Sequence, residues 1–233
     1  MPLPTPTLPT YPLTVPSSKE AIKFRPFTMS EQKILLFAME GSTDEEIVNA
    51  IGQIVDACTF GKITVEYNPL FDIQYVFLNI RAKSAGEVSE FLLVCGECEH
   101  KVEASIRIDE IKVKETEGHT DTITLSDEMG VKMKYPKAKH LAALSAATTP
   151  EDVFKVVAEC VDQVFTNDEV FNCADEPVEE VTKFLDALTT EQFEMLRAFF
   201  DTMPRLEHVV EFKCPKCESE NEVRMDGIQS FFV

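Results

Sequence analysis

The sequence contains no tryptophan, four histidines, eight glycines, and 22 basic residues against 41 acidic ones. Each shortage closes off a class of function. Few glycines leave no Gly-x-Gly-x-x-Gly turn and no phosphate loop, since Gly61-Lys62 lacks both the upstream glycine and the following hydroxyl that a phosphate cradle needs. Few histidines leave no His-Glu-x-x-His pair, and no Gly-x-Ser-x-Gly elbow occurs. The acidic residues are spread over the first turns of expected helices, where they complement the helix dipole. The chain is therefore read as a non-enzyme. A formal net charge of −19 repels phosphate backbones, so nucleic acid is not an expected partner. The basic stretch Lys132, Lys134, Lys137 and Lys139 reads as a solvated strand face. No apolar run is long enough to cross a bilayer and no signal-peptide pattern is present. No membrane partner is expected, and the thiols are expected to be reduced, as in a cytoplasm.

Against these absences stand seven cysteines, four of them in two pairs of one form, Cys95-Gly-Glu-Cys98 and Cys214-Pro-Lys-Cys217. Two cysteines separated by two residues can turn both sulfurs inward on one tight turn. Two such turns face to face supply four thiolates at tetrahedral angles, the ligand set of a structural zinc site. The flanks agree, because both pairs sit between alternating, strand-like segments. Phe91-Leu92-Leu93-Val94 precedes the first pair, with Val102, Ala104, Ile106 and Ile108 after it; Val210 and Phe212 precede the second, with Val223 and Met225 after it. A redox Cys-x-x-Cys would open a helix, and structural disulfides would need an oxidising compartment; buried free thiols remain the plain alternative. Cys95, Cys98, Cys214 and Cys217 are thus the expected ligands of one structural Zn2+, in a closed shell with no open position for substrate. His100 is a substitute ligand that four cysteines do not require. In the usual ribbon about 15–20 residues separate the pairs, whereas here more than a hundred do. The two hairpins must meet across a large insertion. Cys58 and Cys160 are expected on buried apolar helical faces, and Cys173 in an acidic loop that disfavours its thiolate.

The expected fold class is α+β: zinc-ribbon-like antiparallel β hairpins, N-terminal helices, and a large helical insertion between the two Cys-x-x-Cys turns. Residues 1–18, with six prolines, read as an extended tail or as an arm along a neighbour. Residues 19–233 read as one composite domain. Its parts are an N-terminal helical part (19–85), the first cysteine hairpin and following strands (86–136), the helical insertion (137–205), and the second hairpin with an apolar C-terminus (206–233). Thr28-Met29-Ser30-Glu31 is a capping box opening a helix through Ile34, Leu35, Phe37 and Ala38. Ile47, Ile51, Ile54, Val55 and Cys58 mark the next helix, and Ile63–Val65 a brief strand. Asn68-Pro69 predicts a cap and first-turn proline for a third helix through Ile73, Phe77 and Ile80. In the insertion, Thr149-Pro150 predicts a helix whose buried face runs through Val153, Val156, Val157, Cys160, Val161 and Val164. Glu128-Met129-Gly130 reads as a turn, and His119 as a solvated imidazole in an acidic turn. Phe199-Phe200 and the closing Phe231-Phe232 are expected at an interface.

Several segments carry a family resemblance. Lys23-Phe24-Arg25-Pro26-Phe27-Thr28 followed by Glu31-Gln32-Lys33-Ile34-Leu35-Leu36, and Asp72-Ile73 with Phe77-Leu78-Asn79-Ile80-Arg81-Ala82-Lys83-Ser84, resemble the baseplate proteins of T-even-like contractile-tailed phages. So do Met133-Lys134-Tyr135-Pro136 and Phe199-Phe200-Asp201-Thr202-Met203-Pro204 with Phe212-Lys213-Cys214. The resemblance covers nearly the whole chain after residue 18, but none of its motifs is a catalytic signature. It implies a baseplate hub protein, either a built-in subunit or an assembly factor, whose partners are other hub and tail proteins. It places the chain in the host cytoplasm during assembly and, for a subunit, in the virion tail baseplate. Homo-oligomers or an arm contact with a neighbouring subunit fit the same reading. The competing reading is a zinc-ribbon factor that engages nucleic acid or a polymerase, against which the net charge argues.

Overall fold

Thr28 starts the first helix as its capping box requires: its amide donates to Glu31 Oε2 at 2.6 Å, its hydroxyl donates to the same oxygen, and Ser30 N donates back to Thr28 Oγ1 at 3.3 Å. The computed structural model describes residues 6–39, 44–137, 140 and 149–226. Chain contacts divide it into two compact units, Met1–Lys114 with Arg205–Val233 (unit 1) and Glu115–Pro204 (unit 2). The architecture is α+β. No helix among the described residues is long and apolar enough to cross a membrane.

Unit 1 begins with β1 (Tyr11–Thr14) paired antiparallel to β2 (Ala21–Phe24), followed by α1 (Met29–Met39), α2 (Asp44–Cys58) and α3 (Leu70–Ala85). Residues 11–18, read as part of a tail or arm, are built into this unit. Val15 is buried, and Ser17 donates its amide (3.0 Å) and its hydroxyl to the buried carboxylate of Asp72 on α3. The brief strand expected at Ile63–Val65 does not form. Instead Asn68 Oδ1 accepts from Thr64 N (2.9 Å) and its amide donates to Thr64 O (3.0 Å), closing a turn. Asn68 is therefore spent on that turn and Pro69 itself occupies the N-cap of α3. The α3 helix is apolar nearly all round because it serves two cores. Val76, Phe77 and Ile80 pack with α2 and the N-terminal hairpin, and Leu78 packs with the strands that follow.

Those strands carry the cysteines. β3 (Val88–Val94) and β4 (Lys101–Arg107) form one antiparallel hairpin; β10 (Arg205–Lys213) and β11 (Glu220–Asp226) form another, joined on the β10 side by β5 (Lys112–Lys114). Alternation along β3 buries Ser89, Phe91 and Leu93 and exposes Val88, Leu92 and Val94. Phe91, Leu93 and Ile106 from the first hairpin share a core with Leu206 and Met225 from the second. Arg205 is the register partner of Lys114, so the chain leaves for unit 2 and returns from it on adjacent strands.

Unit 2 is a four-stranded antiparallel sheet in the order β6 (Thr122–Thr124), β7 (Met129–Met133), β8 (Val161–Thr166), β9 (Val170–Asn172), with α4 (Pro150–Glu159), α5 (Val178–Asp186) and α6 (Thr190–Thr202). Two readings are corrected here. The helix opened by Thr149 ends at Glu159, and Val161–Thr166 is a strand: the apolar spacing continues, but the β-branched run pairs with β7. Met129 and Gly130, read as a turn, belong to β7; a Cβ at Gly130 would stand 2.3 Å from Phe165 Cζ, so glycine lets that ring lie on the backbone. Thr149 and Thr189 both make full capping boxes, with Asp152 and Gln192. Phe199, expected at an interface, is buried among Val131, Met133, Val181 and Leu196, with Phe200 packed against that core. The C-terminal phenylalanines and Lys139 lie outside the described residues.

Candidate metal centre

Each cysteine pair sits at the tip of a hairpin, and the two tips are built alike. Cys95 N donates to His100 O (3.0 Å) and Glu99 N to Cys95 O (3.0 Å); Cys214 N donates to Ser219 O (2.9 Å) and Glu218 N to Cys214 O (2.9 Å). The matching residues Glu99 and Glu218 both take the left-handed conformation, with φ of 54° and 59°. The internal repeat seen in the sequence is thus a repeat of backbone geometry. Its tight turn aims both sulfurs of each pair to one side.

The tips face each other. Cys95 Sγ lies 3.6 Å from Cys217 Sγ, and Cys98 Sγ lies 3.7 Å from Cys214 Sγ. All four sulfurs fall within 4.8 Å of one another. A regular tetrahedron of thiolates about 2.3 Å from a central ion has edges of about 3.8 Å, so the donor set and its spacing fit a tetrahedral soft-metal site. Cys95 and Cys214 are buried, Cys98 is half-buried and Cys217 is exposed. His100 is exposed and contributes its carbonyl to the turn rather than its ring to the cluster.

Two residues that the sequence reading passed over hold the tips together. Ser219 Oγ is 3.2 Å from Cys95 Sγ and 3.0 Å from Cys217 Sγ, touching one sulfur from each pair. Asn221 accepts from Gly96 N (2.9 Å) through Oδ1 and donates through Nδ2 to Ser219 O (3.0 Å) and Ser219 Oγ (3.1 Å). Because Asn221 fills an acceptor site on Ser219, the hydroxyl proton stays available to sulfur. Ser219-Glu220-Asn221 reads as an ordinary turn in sequence; a hydroxyl two residues beyond a ligand is the one signal that was there.

The hydrogen bonds set an uneven charge pattern. The Ser219 hydroxyl, with the amides of Cys98 and Glu97, draws the Cys95 thiol down to about 5, and Ser219 lowers Cys217 as well. At Cys98 the His100 amide favours the thiolate, but burial and the sulfurs of Cys217, Cys214 and Cys95 outweigh it and push the group up to about 12. Four sulfurs this close cannot all ionise on their own. A divalent cation between them is what permits four thiolates together.

The other singled-out residues lie apart from this cluster. Cys58 and Cys160 are fully buried in the cores of units 1 and 2, and burial raises the Cys58 thiol to about 11. Cys173 is half-buried, and desolvation more than its acidic neighbours raises its pKa. His119 is half-buried rather than free in solvent. Its ring bonds Thr202 Oγ1 (3.0 Å) and Tyr135 OH (3.1 Å), stacks on Tyr135 and tilts against Phe199, all within unit 2. His140, also in unit 2, is buried with Nε2 2.9 Å from Glu159 Oε2.

No curated protein and no solved structure matches the chain significantly. The family model described as T4 bacteriophage base plate protein matches residues 8–233. That span takes in β1, both cysteine hairpins and the whole of unit 2. With nearly its full length inside the match, the chain belongs to the T4 bacteriophage base plate protein family, a structural component of the phage tail.

Proposed function

We propose that the chain is a non-enzymatic protein of the baseplate hub, built into the hub as a subunit and stapled by one structural zinc ion on Cys95, Cys98, Cys214 and Cys217. The observation that carries the reading is the family match over residues 8–233, joined to a four-sulfur cluster of tetrahedral dimensions. The closed ligand set supports a structural ion, because four thiolates leave no coordination position for substrate. When bound, zinc would supply the positive charge that lets all four cysteines ionise, while Ser219 and Asn221 orient the two tips. The conspicuous phenylalanines Phe199 and Phe200 pack into the unit 2 core, which leaves docking to other surfaces. Outward-facing Met29, Leu36 and Phe37 on α1 are apolar enough to meet tail proteins in the assembled particle.

The test has two arms. Quantitative mass spectrometry of purified tails and of hub intermediates should find the chain in fixed proportion in both. Presence on intermediates alone would make it an assembly factor, and absence from both would sink the hub reading. Elemental analysis of the purified, reduced protein should give one zinc per chain; a metal-free protein that folds cooperatively would remove the staple.

A further inference from the structure

The sheet of unit 2 ends on a strand with little to protect it. β9 pairs with β8 through Gln163↔Asn172, Val164↔Phe171 and Phe165↔Val170, and among the described residues nothing pairs with its other edge. Open edges are ordinarily guarded by shortness, charged side chains, proline or a bulge, because their backbone donors and acceptors recruit further strands. Val170-Phe171-Asn172 is short, but has no charge, proline or bulge of its own. Val170 is 61% exposed and Phe171 47% exposed. Phe171 stands opposite Val164, which packs against the unit 2 core, so its ring extends the core face past the last strand.

The surroundings specify the charge of what would fit. Between Val161 and Glu180 the sequence has no lysine, arginine or histidine, and Lys134 and Lys137 line a pocket shared with Glu176, on the far side of Cys173 from Asp168 and Glu169 in the chain. Asp168 and Glu169 lead into the strand and Asp175 and Glu176 follow it, all four exposed. A second copy pairing antiparallel on this edge would set these carboxylates against each other, on a chain whose net charge is already −19. A basic segment would meet them favourably.

We propose that β9 is a docking edge for an extended, lysine- or arginine-bearing segment of another tail protein, which joins the sheet as a fifth strand. Backbone hydrogen bonds along β9 give it register, an apolar side chain beside Phe171 continues the core face, and flanking cations face Asp168, Glu169 and Asp175. The inference deepens the reading of the chain as a hub subunit. Its failure would leave that reading in place, since residence in tails is measured on particles.

The experiment uses the full-length protein and a fluorescent nine-residue peptide of alternating lysine and valine, followed by anisotropy. Saturable binding is expected, weakened on the order of tenfold or more in the Val170→Lys, Phe171→Lys variant. The Val88→Lys, Leu92→Lys variant makes the same charge change on exposed β3 residues of unit 1 and should bind like wild type. A peptide N-methylated at the two residues that flank its central valine should lose most of its affinity, because those residues face Val170 and Asn172, whose backbone groups point to the open edge. Equal loss in both variants, or undiminished binding of the N-methylated peptide, would mean bulk charge attraction and overturn the proposal. So would absence of saturable binding, or a wild-type dimer in sedimentation that Phe171→Lys dissolves.

Discussion

Unit 1 brings together sulfurs 122 residues apart in sequence, Cys95 and Cys217, whereas unit 2 closes on itself with neutral contacts around His119. Both must tie a late segment to an early one. In unit 1 the tie ends at two hairpin tips that are part buried and part open, where a metal ion on the four cysteines would add a coordinate tie to the apolar core the hairpins share. In unit 2 the tie lies over Phe199, where ring stacking and two hydrogen bonds hold a half-buried imidazole.

The sharpest way to break this contrast is to remove the sulfurs. With zinc present, Cys214→Ser together with Cys217→Ser is expected to destabilise unit 1 by at least about 5 kcal/mol and to leave the unit 2 transition in place. Calorimetry on the full chain reads both; a single shared transition lost together would show that the units do not unfold separately. Next in size is Glu31. Burial alone would raise its pKa, but hydrogen bonds from Arg25 and Thr28 outweigh that and hold it at about 2. A folded pKa below the unfolded one stabilises at pH values above the unfolded value, and that stability, about 3 kcal/mol, disappears as pH falls from about 4.5 toward 2. Denaturant titrations should find Glu31→Gln weaker at pH 7 and equal to wild type near pH 2.

His119→Ala tests the other side of the comparison. Loss of two hydrogen bonds and the ring stack should destabilise unit 2 by about 2 kcal/mol. Burial, only partly offset by Asp121, keeps the imidazole pKa below its ordinary value. The folded state therefore resists protonation, and the His119 contribution shrinks as pH drops below about 6.5; thermal melts of the variant should lack that dependence. At Asp72 burial raises the pKa against the two Ser17 hydrogen bonds. A raised carboxyl pKa costs stability as pH climbs, so Asp72→Asn should match or slightly exceed wild type at pH 7 and lose the advantage in acid. The smallest effect belongs to the hairpin tips. Glu218→Gly relieves a left-handed φ of 59° but frees the unfolded chain, a net gain of less than about 1 kcal/mol that urea midpoints should register.

What could be read in advance was what short-range chemistry decides. The Thr28–Glu31 box and the twin cysteine turns each depend on neighbours a few residues away, and each is found. What could not be read was decided by partners distant in sequence. Val161 and Val164 keep the helical spacing of the preceding residues, yet β7 claims them. His119 sits in an acidic run, and Tyr135 and Thr202 engage both of its ring nitrogens. Ser219 looks like turn punctuation until Cys95, 124 residues earlier, comes within 3.2 Å of it. That the two cysteine pairs converge was legible; the two residues that hold their tips together were not.

The pairing of Lys114 with Arg205 has a mechanical meaning. Both connections to unit 2 leave from the same end of neighbouring antiparallel strands, so tension applied through unit 2 peels β5 from β10 one residue pair at a time rather than shearing all pairs together. Glu207, which reaches Lys114 at 3.3 Å and Arg224 at 3.5 Å, is the first polar brace in the path of that tear. Past it, β10 runs on to Lys213, and the residue after that is Cys214. A fracture that starts at the stem must travel the length of β10 before it loads the four sulfurs, so the strand pairs open first and the cysteine cluster lies last on that path.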